Sequence, residues 1–261
     1  MGWWYCPDPC NKWFYRSGVV ESEHNFVWRT GWRCGMRNHF LRASGKKPSI
    51  ISDISITGTS VNPNALSSYT FSSVSIGAPS AFRTVLVFVG ALNNGGRGLT
   101  SITIGGSAAT VYAYESNSLS GSIAYIAGRQ VSAGSSADIV VTFNGTVNNY
   151  CSIAAAMIVS PSAISVADTY NYDSGFGGVL SYGDTTTTTN GGLLLICGNS
   201  ESTKLSSWSG VNEKYNIEAE SGSGDYHAIA TSLTSAPSKT WSGGATTNGS
   251  AALVAVSLSF S

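Results

Sequence analysis

Thr84-Val85-Leu86-Val87-Phe88-Val89 is an unbroken apolar run of strand length. Side chains along a strand alternate between the two faces of its sheet, so such a run predicts a strand covered on both sides. The stretches around it alternate instead. Ile54 and Ile56 stand among polar neighbours, as do Tyr69, Phe71 and, one register slip later, Val74 and Ile76. Ser101-Ile102-Thr103-Ile104 alternates and runs into Gly105-Gly106, a turn signal. Segments 111–114, 122–126, 138–143 and 151–159 continue the series. Asn144-Gly145, directly after Phe143, predicts a hairpin because both residues tolerate positive φ. The alanines of 153–159 have helical propensity, yet the segment's length and its neighbours make it a strand.

Beyond Pro161 the pattern resumes. Strands are expected at 165–172, 193–198, 215–220, 226–232, 239–241 and 251–260, separated by Gly, Ser, Thr and Asn clusters. The threonines at 185–189 favour an extended chain. Short strands in close succession with turn signals between them predict an all-β fold. The expected architecture is an antiparallel β-sandwich, jelly-roll-like, with a short irregular N-terminal extension. Residues 48–160 and 161–261 look loosely alike, so two sub-sandwiches are one arrangement and a single sandwich over 48–261 is the other. The single domain is favoured, because no Pro-rich or charged linker divides the halves.

The composition excludes several classes. Charged residues are 11% of the 261, less than half the usual share of about 25%. That is no coiled coil, and with 42% hydrophobic residues it is no charge-driven disordered chain. Fourteen basic residues balance fourteen acidic ones, which gives no reason to expect nucleic acid as a partner. No apolar run approaches the length of a membrane helix, about 18 residues, so no membrane partner is expected. No segment reads as a signal peptide, so the default expectation is a cytoplasmic protein or, for a virus, assembly in the cytoplasm.

Residues 1–47 differ from the rest. They hold five of the seven Trp and eight of the fourteen Lys and Arg, but only Asp8, Glu21 and Glu23 as acids. The spacing of Cys6 with Cys10, and of Cys34 with His39, suits a structural zinc site, with His24 competing as the fourth ligand. Pro7 and Pro9 oppose it, because neither can donate an N–H to a thiolate. A tail that is flexible or ordered by a partner is the competing reading, and a start placed upstream of a true Met36 is another. A basic, aromatic nucleic-acid-binding arm carries less weight, for want of a motif. Cys151 and Cys197 sit on apolar strands and read as buried thiols. Beyond zinc at the N-terminus no cofactor is expected.

No nucleophile elbow, H-E-x-x-H or Walker loop is present, and no catalytic residue is assigned. His227 could join a triad only because Ser is everywhere, which makes that match nearly worthless. Glu218 and Glu220, at i and i+2 of a strand, share a face and could serve a glycoside hydrolase; a solvated strand face explains them more simply. Trp208 and Trp241 occur in similar Trp-Ser-Gly settings. They read either as sandwich core or, with Tyr170, Tyr172 and Tyr215, as platforms for sugar rings.

Phe71-Ser-Ser-Val-Ser-Ile-Gly77, Arg83-Thr-Val-Leu-Val-Phe-Val89, Ser101-Ile-Thr-Ile-Gly-Gly-Ser-Ala-Ala-Thr110 and Ser135-Ser-Ala-Asp-Ile-Val-Val-Thr-Phe143 form an ordered series. It resembles a β-sandwich module of tailed-phage virion proteins, and Trp241-Ser with Ser250-Ala-Ala-Leu-Val-Ala-Val-Ser-Leu258 resembles the closing strand. The resemblance covers about residues 50–261 and leaves 1–47 outside. It implies a non-enzymatic structural protein of the tail, baseplate, fibre or capsid decoration, assembled in the host cytoplasm. The implied partners are copies of itself, as a homo-oligomer such as a trimer, and other virion proteins. The alternative is a carbohydrate-binding or receptor-binding adhesion module for a cell-surface glycan.

Overall fold

The computed structural model describes residues 3–5, 13–15, 29–31, 54–92, 96–116, 121–189, 191–220 and 224–261. The chain divides into two compact units, 1–47 and 48–261. In the first, β1 (Trp3–Tyr5), β2 (Trp13–Tyr15) and β3 (Arg29–Gly31) form an antiparallel sheet in that order.

The second unit is all-β and antiparallel, with three sheets. The first sheet contains β5 (Ser68–Ser75), β7 (Leu99–Ile104), β8 (Ser107–Ala108) and β11 (Ser136–Phe143), in the order β5-β11-β7-β8. The central sheet contains β4 (Ile56–Asn62), β6 (Arg83–Leu92), β9 (Thr110–Ser116), β10 (Ser122–Gln130) and β12 (Asn148–Val159), in the order β4-β12-β6-β10-β9. The third contains β13 (Ile164–Thr187), β14 (Gly192–Glu201), β16 (Asn212–Glu220), β17 (Asp225–Thr234) and β18 (Ser238–Phe260), in the order β13-β18-β14-β17-β16. Strand β15 (Ser206–Ser209) pairs with β18.

The sheets stack through two cores that share the central sheet. On one face Val85, Val87, Tyr125 and Ile153 meet Tyr69, Phe71, Ile102 and Ile139 of the first sheet. On the other, Leu86, Phe88, Ile126 and Ala154 meet Leu193, Leu195, Val254 and Val256 of the third. Residues 85–89 are fully buried on both faces, as their unbroken apolar run requires. Each such side chain contributes about 2 kcal/mol through burial. The fold is therefore an antiparallel sandwich with one layer more than a two-sheet jelly roll. The segment 153–159 lies in β12, whose alanines Ala154, Ala155 and Ala156 are buried between sheets.

Two polar devices hold the layers. Arg83, fully buried, gives its guanidinium to backbone carbonyls: Nε to Val131 at 2.7 Å, Nη1 to Gly77 at 2.7 Å and Ile76 at 3.5 Å, Nη2 to Ala133 at 2.7 Å and Gly134 at 2.9 Å. This ties the loops before β6 and β11 together. Between the central and third sheets, Tyr150 donates to Asn199 Oδ1 at 2.8 Å and Asn199 Nδ2 donates to the Ala91 carbonyl at 2.9 Å. In the same seam Ser152 Oγ lies 2.9 Å from His227 Nδ1.

Two sequence expectations need correction. Asn144-Gly145 makes no hairpin, since β11 and β12 belong to different sheets and neither residue has positive φ. Asn144 instead clamps the crossover: its N–H donates to the Gly98 carbonyl at 3.0 Å and its Oδ1 accepts the Gly98 N–H at 3.1 Å. The strands expected at 239–241 and 251–260 are one strand, β18, and 165–172 lengthens into β13. Glycines there allow ladder slips rather than ending the strands.

Candidate functional site

β13 and β18 pair along their whole length, Ile164 with Phe260 at one end and Thr187 with Ser238 at the other. In a straight strand Asp168 and Thr187 would stand about 60 Å apart. Yet Asp168 Oδ2 accepts the Thr187 N–H at 2.7 Å. The ribbon is doubled over on itself. Its ladder slips between Ser174 and Gly178 and between Val179 and Ser181, where β13 reads Gly175-Phe-Gly-Gly178. Glycine permits the backbone angles that such bulges demand.

The returning half covers the outer face of the third sheet. Leu180, Tyr182 and Trp241 pack into one core with Leu194, Ile196, Ala228 and Leu253. The rings interlock: Tyr170 meets Trp241 edge-on at 5.3 Å, Tyr172 lies 5.7 Å from Tyr182, and Tyr182 lies 5.4 Å from Trp208. Trp241 Nε1 donates to Thr186 Oγ1 at 2.8 Å, and Trp208 Nε1 donates to Glu213 Oε2 at 2.8 Å.

A groove of about 560 Å³ opens along the ribbon. Tyr170 and Trp241 line it, and exposed Ser181, Asp184, Thr240 and Ser242 form its polar rim. Burial, with Asp184 nearby, raises the Tyr170 phenol above its ordinary value and keeps it a neutral donor. Chemically, the groove offers a half-buried ring edged by hydroxyls and one carboxylate.

The structure brings Tyr170, Tyr172, Trp208 and Trp241 into one cluster but not Tyr215. Tyr215 packs against the core between the central and third sheets, where its ring meets His227 edge-on at 5.6 Å. Burial pushes its phenol up to about 12. A β16 ladder slip between Glu213 and Tyr215 sets this orientation. Trp241 is also no sugar platform, because at 2% exposure it presents no ring face. Tyr182 and Asp184 were not singled out from the sequence. Their only signal is alternation along a run that reads as a loop.

The paired-glutamate premise fails on the backbone. The ladder slips again between Glu218 and Glu220, and a bulge breaks the rule that i and i+2 share a face. Glu218 Oε1 accepts the Gly224 N–H at 3.0 Å. His227 is fully buried between sheets, with Nε2 3.4 Å from Cys197 Sγ, and desolvation lowers its pKa to about 3. Cys151 and Cys197 are buried free thiols whose pKa values burial raises. Cys6, Cys10, Cys34, His24 and His39 lie outside the described residues. Among the described residues, no group of three or more His, Cys, Asp and Glu could hold a metal ion. No protein-family model, curated protein or solved structure matches the chain.

Proposed function

We propose that the chain is a non-enzymatic structural component of a tailed-phage virion, assembling with its own copies and with other virion proteins through strand edges and loop surfaces. The observation that carries this is the outer edge of β13. The strand runs 24 residues and, among the described residues, pairs only with β18. Among the described residues, no other strand pairs with its second edge. Asp168 covers part of that edge by accepting the N–H groups of Thr169 and Thr187. β13 contains no Lys, Arg or Pro; its three ladder slips and Asp168, Asp173 and Asp184 confine the open edge to the stretches between them. Val166 and Val179 on it are 43% and 65% exposed. Such an edge is a template for a further strand. The test is amide hydrogen exchange along β13 at rising protein concentration. Exchange that slows with concentration supports assembly there, and concentration-independent exchange contradicts it.

The second reading is a receptor-binding module for a cell-surface glycan, favoured by the groove beside Tyr170. Trp208, half-buried in the same ring cluster, is its reporter. A fitting glycan quenches Trp fluorescence, and Trp208→Ala removes the quenching.

A further inference from the structure

The central sheet's face toward the third sheet breaks its apolar pattern at one end. Leu86, Phe88, Ala113, Ala124 and Ile126 on that face are core residues. Two positions before Leu86 comes Thr84, which the ladder pairs with Gln130, while Thr110 pairs with Gly128. Alternation along β6 and β10, and the pairing of Thr110 with Gly128, put Thr84, Gln130 and Thr110 on this same face. A ladder slip between Ile126 and Ala127 leaves Tyr112 as an extra residue beside Ala113, and its ring packs against the same core. Together with Phe82 and Ile164 they line a concavity of about 360 Å³. It lies where the linker from β12 to β13 passes, and it shares no lining residue with the ribbon groove.

Its lining is uncharged apart from Arg129, and two-sided. The Tyr112 ring rests against Gly128, where a Cβ would come within 2.7 Å of it, so the ring is a close-fitted wall. Phe82 is 49% exposed and presents a second ring. The hydroxyls of Thr84, Thr110 and Tyr112 have no hydrogen-bond partner among the described residues. Gln130 donates Nε2 to the Ala81 carbonyl at 3.0 Å, and its Oε1 has no donor among the described residues. The one charged lining residue, Arg129, donates Nη1 to the Ile104 carbonyl at 2.7 Å. A pyranose ring has the matching form, with an apolar C–H face and a rim of hydroxyls that donate and accept. The volume falls in the range of small-ligand sites, roughly 300–1,000 Å³.

We infer that this concavity is a pyranose-binding subsite. Tyr112 and Phe82 take the C–H face, and Thr84, Thr110 and Gln130 take the ring hydroxyls. The inference is independent of edge assembly and of the ribbon groove.

Saturation-transfer NMR on the full chain tests it, with methyl α-glucoside, methyl β-galactoside, methyl α-mannoside and N-acetylglucosamine as probes. At least one probe is expected to show transfer, strongest at its ring C–H protons. Phe82→Ala and Thr110→Val, both at exposed positions, should each weaken that binding about fivefold. Trp208→Ala should leave it unchanged. No transfer to any probe overturns the inference. So does transfer that survives both Phe82→Ala and Thr110→Val, or that disappears in Trp208→Ala.

Discussion

The Asp168 carboxylate accepts the backbone N–H of Thr187, 19 residues further along the same strand, at 2.7 Å. One side chain thus pins the base of a doubled ribbon whose ladder slips beside Asp168 itself and twice more towards its far end. Its other oxygen accepts the Thr169 N–H at 2.8 Å. Asp168→Ala removes both acceptors and should destabilise the fold by about 1–3 kcal/mol. Asp168→Asn keeps one carbonyl acceptor and should cost less. Urea denaturation of the two variants checks the order, and faster amide exchange at Thr187 locates the effect.

Arg83 should be the costliest single polar substitution. Its guanidinium satisfies carbonyls on both flanking loops, from Ile76 and Gly77 to Ala133 and Gly134. Arg83→Met leaves those acceptors without their donor and should cost about 3–5 kcal/mol. Arg83→Lys keeps the charge but not the planar fork and should recover only part of the loss. Thermal melts of the three proteins decide this.

Stability should fall in mild acid through His227. Burial lowers its pKa from 6.5 to about 3 in the fold. Between those values the unfolded chain binds a proton that the folded chain refuses, so lowering the pH favours unfolding. The slope is about 1.4 kcal/mol per pH unit and ends below the folded value. Glu115 and Glu201 act in the opposite sense, because burial, and then Asp173 and Asp225 respectively, raise their carboxyl pKa values. Urea melts between pH 7 and 4 should show this slope in the wild type and a flatter one in His227→Asn.

Trp241 divides core packing from a polar tie. Trp241→Phe keeps a ring against Tyr170 but strands the buried Thr186 hydroxyl, at about 1 kcal/mol. Trp241→Ala also opens a cavity and should cost about 3–5 kcal/mol. Thermal denaturation separates the two.

The sequence was most legible where a local pattern has one physical reading. The run 84–89 leaves no polar face, so both sides of β6 had to be covered, and they are. It was least legible where glycine is the signal. Glycines at 175–178 and 243–244 mark a loop or a bulge equally well, and the choice rests on Tyr182 and Trp241 meeting residues far along the chain. Trp208 and Trp241 share a local context, yet tertiary packing leaves one half-buried and the other nearly sealed. The shared face expected of Glu218 and Glu220 is lost for a related reason, since a backbone slip that side-chain chemistry does not announce falls between them.

Assembly through the free edge of β13 is tested by light scattering after size exclusion, on the full chain beside Val166→Lys with Val179→Lys. Both valines are exposed on that strand, so the lysines should leave the fold intact while blocking strand addition. The wild type should be an oligomer, a dimer if two β13 edges pair and a trimer or larger ring if the edge meets another surface of the next copy, and the double variant a monomer. A wild-type monomer, or a double variant that assembles as well as the wild type, would contradict it.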